Sequence, residues 1–310
     1  MSVLVTGGAG FIGSNLVSHL LQKNYSVVVL DNLSSGKIEN LHQAKSSPNF
    51  KFVQGDIRDS QTVKAALLDV EGVVHLAALI DVSASVADPI QTHDINVKGT
   101  LNLLQEAAKC RVNKFIFASS TAVYGDAKSL PIKEETPLQP ISPYAASKAA
   151  AEAYCSTYAR CFGLETVRLR FFNVYGPKNE GSPYSGVITK FIQQAQRDET
   201  LTIEGDGEQT RDFIHVDDIV QALTAALEGQ NLRGEAFNVC TGKPTSVNSL
   251  ASTLSVVTGK TLRTTHVQPR LGDIRFNYGN PSKAASKLHF KAKTNIKNGL
   301  KLLIAKSFKG

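Results

Sequence analysis

The chain has 310 residues, 42% hydrophobic and 20% charged, with 23 Gly, 11 Pro and a formal net charge of +7. That balance fits a globular protein with room for two domains or one large α/β unit, and excludes a low-complexity or collagenous chain. Lys and Arg are dispersed, without a basic run or an RNA-binding or zinc-finger motif, so no nucleic acid is expected; the surplus charge suits an anionic diphosphate substrate.

Cys110, Cys155, Cys161 and Cys240 form no Cys-x-x-Cys pair and have no His at zinc-like spacing, so neither a disulfide framework nor a metal is expected. No stretch approaches the roughly 20 apolar residues of a membrane helix, and the N-terminus runs straight into a strand. The expectation is a cytoplasmic protein with reduced thiols and no membrane partner.

Taken in chain order, the runs 2–6, 26–31, 51–54, 72–76, 114–119 and 166–170 are apolar nearly throughout, as strands covered on both faces of a parallel sheet are. Between them, 11–23, 60–68, 96–109 and 143–161 carry helical patterns. Ser142 offers an N-cap to the last of these, and Pro143 stands at its first position. This βαβα order predicts an α/β fold with a doubly wound parallel sheet of the Rossmann type. After Phe171, turns at Gly176-Pro177, Gly181-Ser182-Pro183 and Gly205-Asp206-Gly207 alternate with helical patterns at 187–197, 216–228, 247–257 and 281–287. Segment 235–240 reads as one more buried strand. The predicted division is 1–172 for a dinucleotide-binding domain, with 212–240 partly returning to it. Residues 173–310 are mostly a smaller C-terminal α/β substrate-binding domain.

Gly7, Gly10 and Gly13 follow the first strand and, with Phe11 and Ile12, open the first helix. Glycines there permit a tight turn, close approach of backbone to a pyrophosphate and close helix–strand packing, while the helix N-terminus offers free N–H groups. Asp31 ends the second strand, where a carboxylate accepts from ribose hydroxyls and repels a 2′-phosphate; this favours NAD over NADP. Asn32, Ser35 and Gly36 continue the cofactor loop. Asp56 suits the adenine amino group and Ile57 the ring face. Leu76, Ala77 and Ala78 end the fourth strand, with small residues suited to cofactor against backbone. Asn96 starts a helix, either as a simple cap or as scaffolding for the site.

Tyr144 and Lys148 stand one turn apart on one helix face. A phenol titrates near about pH 10, and an ammonium together with a positive nicotinamide ring favours phenolate. Such a base can deprotonate a sugar hydroxyl while hydride leaves the same carbon. Ser119, Ser120 and Thr121 end the fifth strand, where a doubly wound sheet opens onto its cofactor. Taken singly, the first pair also reads as an ordinary helix pair and the second cluster as ordinary turn hydrogen bonds.

Together, Gly7-x-x-Gly10-x-x-Gly13, Asp31, Asn96, Ser120 and Tyr144-x-x-x-Lys148 resemble the extended short-chain dehydrogenase/reductase family over nearly the whole chain. Within it the chain is similar to the NAD-dependent nucleotide-sugar epimerases, UDP-galactose 4-epimerases in particular. The resemblance implies tightly held NAD, Tyr144 as acid/base, Lys148 lowering its pKa and holding the nicotinamide ribose, and Ser120 on the sugar oxygen. It implies a UDP-hexose substrate oxidised to a 4-ketose and re-reduced on the opposite face. Thr121 and Ala122 stand where related 4,6-dehydratases carry an Asp-Glu pair, so elimination of water is disfavoured; related decarboxylases carry a Glu at the place of Ala122.

By the same resemblance Asn173 contacts the diphosphate, Val187 lines the uracil pocket, and Arg211, Arg270 and Asp273 reach the nucleotide. Ser83 and Ser85 lie in a substrate loop that lacks the Pro-Arg pair of some relatives. Asn277 falls near a size gate where a bulky Tyr excludes N-acetyl sugars. Epimerases of UDP-N-acetylglucosamine or UDP-glucuronate and a net nucleotide-sugar oxidoreductase stay open. A non-catalytic NAD-binding regulator is disfavoured by the intact Ser/Tyr/Lys set. Helices 96–109 and 143–161 resemble those of an intersubunit four-helix bundle, which implies a homodimer.

Overall fold

The computed structural model describes residues 1–178, 186–269 and 274–307. The chain opens with β1 (Ser2–Thr6), α1 (Phe11–Gln22), β2 (Ser26–Asp31), β3 (Phe50–Gln54), α2 (Ser60–Ala66) and β4 (Gly72–His75). Short helices α3 (Val82–Ala87) and α4 (Pro89–His93) precede α5 (Gly99–Lys109), β5 (Lys114–Ser120), α6 (Pro143–Cys161) and β6 (Glu165–Phe171). Then come β7 (Asn173–Tyr175), α7 (Val187–Gln196), β8 (Leu201–Glu204), β9 (Thr210–Arg211), β10 (Phe213–His215), α8 (Val216–Glu228) and β11 (Glu235–Val239). The described chain ends with β12 (Thr245–Ser246), α9 (Val247–Thr258), β13 (Thr264–Val267), β14 (Phe276–Asn277), α10 (Ser282–Lys287) and α11 (Ile296–Ser307).

Seven strands form one sheet in the order β11-β6-β5-β4-β1-β2-β3, every pairing parallel. Successive side chains point to opposite faces, and both faces are apolar. Val3, Val5, Val27, Val29 and Val74 pack with Leu16 and Leu20 of α1 and Ile219 and Leu223 of α8. Leu4, Leu30, Val73, Phe115 and Phe117 pack with Val63 of α2, Leu103 and Leu104 of α5, and Ala151 and Cys155 of α6. Burial on both sides of the pleat is why these strands read as unbroken apolar runs. Strand order reverses between β1 and β4, so the crevice beyond their C-terminal ends is the natural ligand site of this topology.

Beyond β6, a separate cluster of Phe191, Leu201, Leu250, Leu254, Leu300 and Leu303 gathers α7, β8, α9 and α11. Two- and three-residue strands knit this region to the sheet's end: β10 runs beside β7, and β9 lies between β12 and β14. No helix among the described residues is long and apolar enough to cross a membrane.

Two local expectations are corrected. The predicted helix 96–109 begins as a π-helical turn over Asp94–Lys98 that passes into α5 at Gly99, so Asn96 is inside a helical segment and not at its start. Helices α3 and α4, absent from the sequence reading, occupy the stretch before it.

Candidate active site

The loop after β1 is shaped by glycine. Gly7 has φ +68°, and a Cβ there would stand 2.8 Å from the Ala77 nitrogen, so only glycine lets the β1 and β4 ends lie this close. Gly10 starts α1 with no side-chain cap, leaving first-turn N–H groups available to an anion. A Cβ on Gly13 would run into the Gly7 carbonyl, which fixes the helix tight against the loop. Phe11 and Ile12 form the first turn of α1, and Ile12 packs on the core.

Asp31 is buried at the end of β2, where Oδ2 accepts from Ala9 N–H at 2.9 Å and Oδ1 from Leu33 N–H at 2.8 Å. Gly36 closes on the same place, its absent Cβ 2.9 Å from Ala9, while Ser35 is exposed. Asn32 donates to Asp56 Oδ2 at 2.9 Å, and Arg58 holds Asp56 through Nε and Nη2 at 2.9 and 2.8 Å. The guanidinium keeps the Asp56 carboxyl down at about 2. Ile57 is buried, and its side chain would lie 2.6 Å from a Cβ on Gly99.

Leu76, Ala77 and Ala78 leave β4 beside Gly7; Ala77 N–H donates to the Thr6 hydroxyl at 3.3 Å. Asn96 fixes the next step. Its amide accepts from Leu79 N–H and donates to Leu79 C=O, both at 2.8 Å, and donates to the Ser147 hydroxyl at 2.9 Å. Ser147 in turn donates to the Tyr144 carbonyl at 2.7 Å. Asn96 therefore ties the β4 exit to the turn of α6 that carries the acid/base candidates.

Those candidates meet. Ser142 caps α6, its hydroxyl accepting from Ala145 N–H at 3.2 Å, and Pro143 takes the first helical position. Tyr144 follows, partly buried, with its phenol towards the Ser120 hydroxyl at the end of β5. Burial raises the phenol's pKa and the Ser120 bond opposes the rise. Lys148 is buried one turn on; Nζ donates to the Ala118 carbonyl at 2.9 Å and lies 4.9 Å over the Phe117 ring. Burial lowers the ammonium's pKa to about 8, with Cys155 and Glu152 pulling the other way.

Among the residues expected to meet a substrate, Thr121 and Ala122 follow Ser120, and Asn277 is buried with Nδ2 donating to the Thr121 hydroxyl at 3.4 Å. Parallel pairing of β14 with β9 sets Asn277 opposite Arg211. Asn173 opens β7, which runs beside β10, and Val187 opens α7. Ser85 is turned inward, its hydroxyl donating to Val82 C=O at 2.6 Å, whereas Ser83 is exposed on α3. Arg270 and Asp273 lie outside the described residues, as does the 181–183 turn.

The sequence reading missed three buried polar groups around this centre. His75 ends β4 between the Thr6 and Thr100 hydroxyls, Glu152 lies one turn beyond Lys148, and Asp212 follows Arg211. Each left a signal: a polar residue inside an apolar run, or an acid next to a singled-out base.

The cradle fits a dinucleotide. It offers an uncapped helix N-terminus, glycines where any Cβ would collide, and at the β2 end an acid that backbone N–H groups hold, with no Arg hydrogen-bonded to it among the described residues. A profile of the NAD dependent epimerase/dehydratase family matches residues 3–240. A UDP-glucose 4-epimerase of Mycolicibacterium smegmatis is 39% identical over 302 residues, 97% of this chain and 96% of the relative. Among solved structures, the UDP-glucose 4-epimerase of Thermotoga maritima with UDP-glucose superposes with a TM-score of 0.94 at 39% identity, covering 100% of this chain and 99% of that one. The UDP-N-acetylglucosamine 4-epimerase of Methanobrevibacter ruminantium, in complex with UDP-N-acetylmuramic acid, gives 0.92 at 37% identity, covering 98% of each.

Proposed function

Because this chain belongs to the NAD-dependent epimerase/dehydratase family, we propose that it is a UDP-hexose 4-epimerase interconverting UDP-glucose and UDP-galactose. The observation that carries this reading is the Ser120–Tyr144–Lys148 set at the sheet's C-terminal edge, with Thr121 and Ala122 beside it instead of acids.

NAD, when bound, would supply the hydride acceptor and donor for the sugar's C4. The chain's own residues manage the proton and the sugar. Tyr144 takes the proton of the 4-hydroxyl and gives it back, while Ser120 hydrogen-bonds the same oxygen. The buried Lys148 ammonium is a nearby positive charge that favours the phenolate once the pocket is filled. Gly7, Gly10, Phe11, Ile12, Gly13, Asp31, Asn32, Ser35, Gly36, Asp56, Ile57, Leu76, Ala77, Ala78 and Asn96 form the cofactor's bed. Asn173, Val187, Arg211, Arg270, Asp273 and Asn277, with Ser83 and Ser85 at the margin, serve the UDP-sugar. We assign cofactor binding to residues 1–172, with 212–240 partly returning to that domain, and sugar-nucleotide binding mostly to 173–310. Elimination of water needs an acid, and the two positions after Ser120 supply none.

Epimerisation of UDP-N-acetylglucosamine is the second reading, favoured by one observation. Asn277, at the place assigned to the size gate, is small and hydrogen-bonded to Thr121. We also assign the enzyme to the cytoplasm, in keeping with its free cysteines. A homodimer through α5 and α6 is supported by the exposed face of α6, where Ala146, Ala153 and Tyr154 stand outward.

The test is incubation of the purified protein with UDP-galactose and no added reductant, following UDP-glucose by NMR. Conversion to an equilibrium mixture, abolished in Tyr144→Phe, supports the reading. Inertness towards UDP-galactose and the N-acetyl and uronate forms alike would refute it.

A further inference from the structure

A buried carboxylate stands behind the acid/base hydroxyls. Glu152 of α6 is 1% exposed, and its Oε1 accepts from the Ser119 hydroxyl at 2.6 Å and from Arg170 Nε at 2.9 Å. Oε2 accepts from Arg170 Nη2 at 2.7 Å, completing a bidentate pair. Arg170, on β6, reaches past this pair: Nη1 donates to the Tyr124 hydroxyl at 2.7 Å and to the Glu134 carbonyl at 3.0 Å. Its guanidinium also lies 4.9 Å over the Tyr124 ring, and Tyr124 donates onward to Asn238 at 2.7 Å.

Ser119 and Tyr124 flank the segment that holds Ser120, and one ion pair grips both. Ser120 is the last residue of β5, still paired with Phe171 in the sheet, and beyond it the chain enters a short helical turn over Thr121–Tyr124. Ser120 uses its hydroxyl to accept from Ala122 N–H at 3.1 Å, and the same hydroxyl opposes the rise of the Tyr144 phenol's pKa. The ladder sets the Ser120 backbone up to its pairing with Phe171, and the clamped flanks on either side set how the chain turns away from it. Well-packed apolar groups often serve stability as well as a buried ion pair does, so stability does not by itself account for this one.

We propose that Glu152 and Arg170 form a positioning clamp for the acid/base set, holding Ser120 in register with Tyr144 and giving Lys148 a fixed anionic neighbour. Lys148 faces Cys155 and Glu152 on its own helix, His75 on β4, and Phe117 and the Ala118 carbonyl on β5. Of these, Glu152 is the charge that favours its ammonium most directly, because the Cys155 thiol is held neutral by burial. The clamp rests on the epimerase reading and deepens it.

Two variants test it. Ser119→Ala removes one hydroxyl from the clamp and leaves the ion pair; Glu152→Gln removes the charge with little change of shape. The tyrosinate absorbance of Tyr144, isolated by difference from Tyr144→Phe, is titrated in each without substrate, alongside turnover and thermal melting. The expected result is a Tyr144 midpoint moved to higher pH in Ser119→Ala, where Ser120 loses its register. With it, kcat falls on the order of tenfold to a hundredfold and KM stays nearly constant, the pattern of misplacement. In Glu152→Gln the alkaline limb of turnover moves to lower pH, because Lys148 loses its proton earlier. If Glu152→Gln does not fold, Ser119→Ala decides alone. Folded variants with the parent's midpoint and kcat would overturn the clamp. Shifted midpoints in an enzyme inert towards every UDP-hexose would sink the epimerase reading and leave the clamp standing.

Discussion

His75 shows how much one side chain can fix. Thr100 donates its hydroxyl proton to the Asn96 carbonyl at 2.6 Å, so it accepts from His75 Nε2–H at 2.9 Å. Nδ1 is then the acceptor for the Thr6 hydroxyl at 2.7 Å. The ring must be neutral to satisfy both, and burial together with the Lys148 charge pushes its pKa down to about 3. The sign follows from proton counting. Between pH 6.5 and about 3 the unfolded chain holds a proton on this ring and the folded chain does not, so stability falls as the medium is acidified. About 2 kcal/mol of His75's contribution is lost by pH 5 relative to pH 8. Urea melts of the parent and His75→Gln at those two pH values check this: the variant is less stable at pH 8 but loses less on acidification. Equal losses in the two proteins would refute it. The sequence marked this position as part of an apolar strand end; the role lies in Thr6 and Thr100, which only the folded crevice brings to the ring.

At the scale of elements, α6 was readable because its start is written locally. Ser142 caps, Pro143 takes the first position, and Tyr144 sits in the unsupported first turn. Removing the cap should therefore be felt in catalysis as well as in stability. Ser142→Ala is expected to cost about 1 kcal/mol of stability and to lower kcat, because fraying displaces Tyr144 from Ser120. Ser142→Asp, which keeps an acceptor for Ala145 N–H, should restore both. Thermal melts and initial rates of the two variants test this, and a Ser142→Ala enzyme with parent kcat would show that the first turn holds without its cap. Other elements carried no such writing. The π-helical turn at Asp94–Lys98 has no distinctive composition, and helices α3 and α4 are six and five residues long with largely exposed faces, so no apolar period announces them.

For the whole molecule, the seven-stranded sheet was legible and the assembly around the substrate side was not, for a physical reason. A strand buried on both faces declares itself within five or six residues, whereas β7, β9, β10, β12 and β14 are two or three residues long and acquire meaning only from partners far along the chain. What joins them is Asp212, fully buried between β9 and β10. Its carboxylate accepts from Thr241 N–H at 2.8 Å, the Thr241 hydroxyl at 2.6 Å, Gly242 N–H at 2.8 Å and Gly279 N–H at 3.4 Å. Its carbonyl accepts from Asn173 N–H at 3.0 Å. One residue thus binds the strand of Arg211 to the segment after β11 and to the chain just beyond Asn277. Burial pushes the carboxyl's pKa up and these bonds hold it back. Asn in its place offers one acceptor oxygen and turns an N–H₂ group toward donors, so Asp212→Asn should cost about 2–4 kcal/mol. The loss should appear in the nucleotide-sugar KM, since Arg211 and Asn277 lose their common anchor, while cofactor content after gel filtration stays at the parent's level. A variant with parent KM and depleted cofactor would reverse that assignment and place the staple on the dinucleotide side of the crevice.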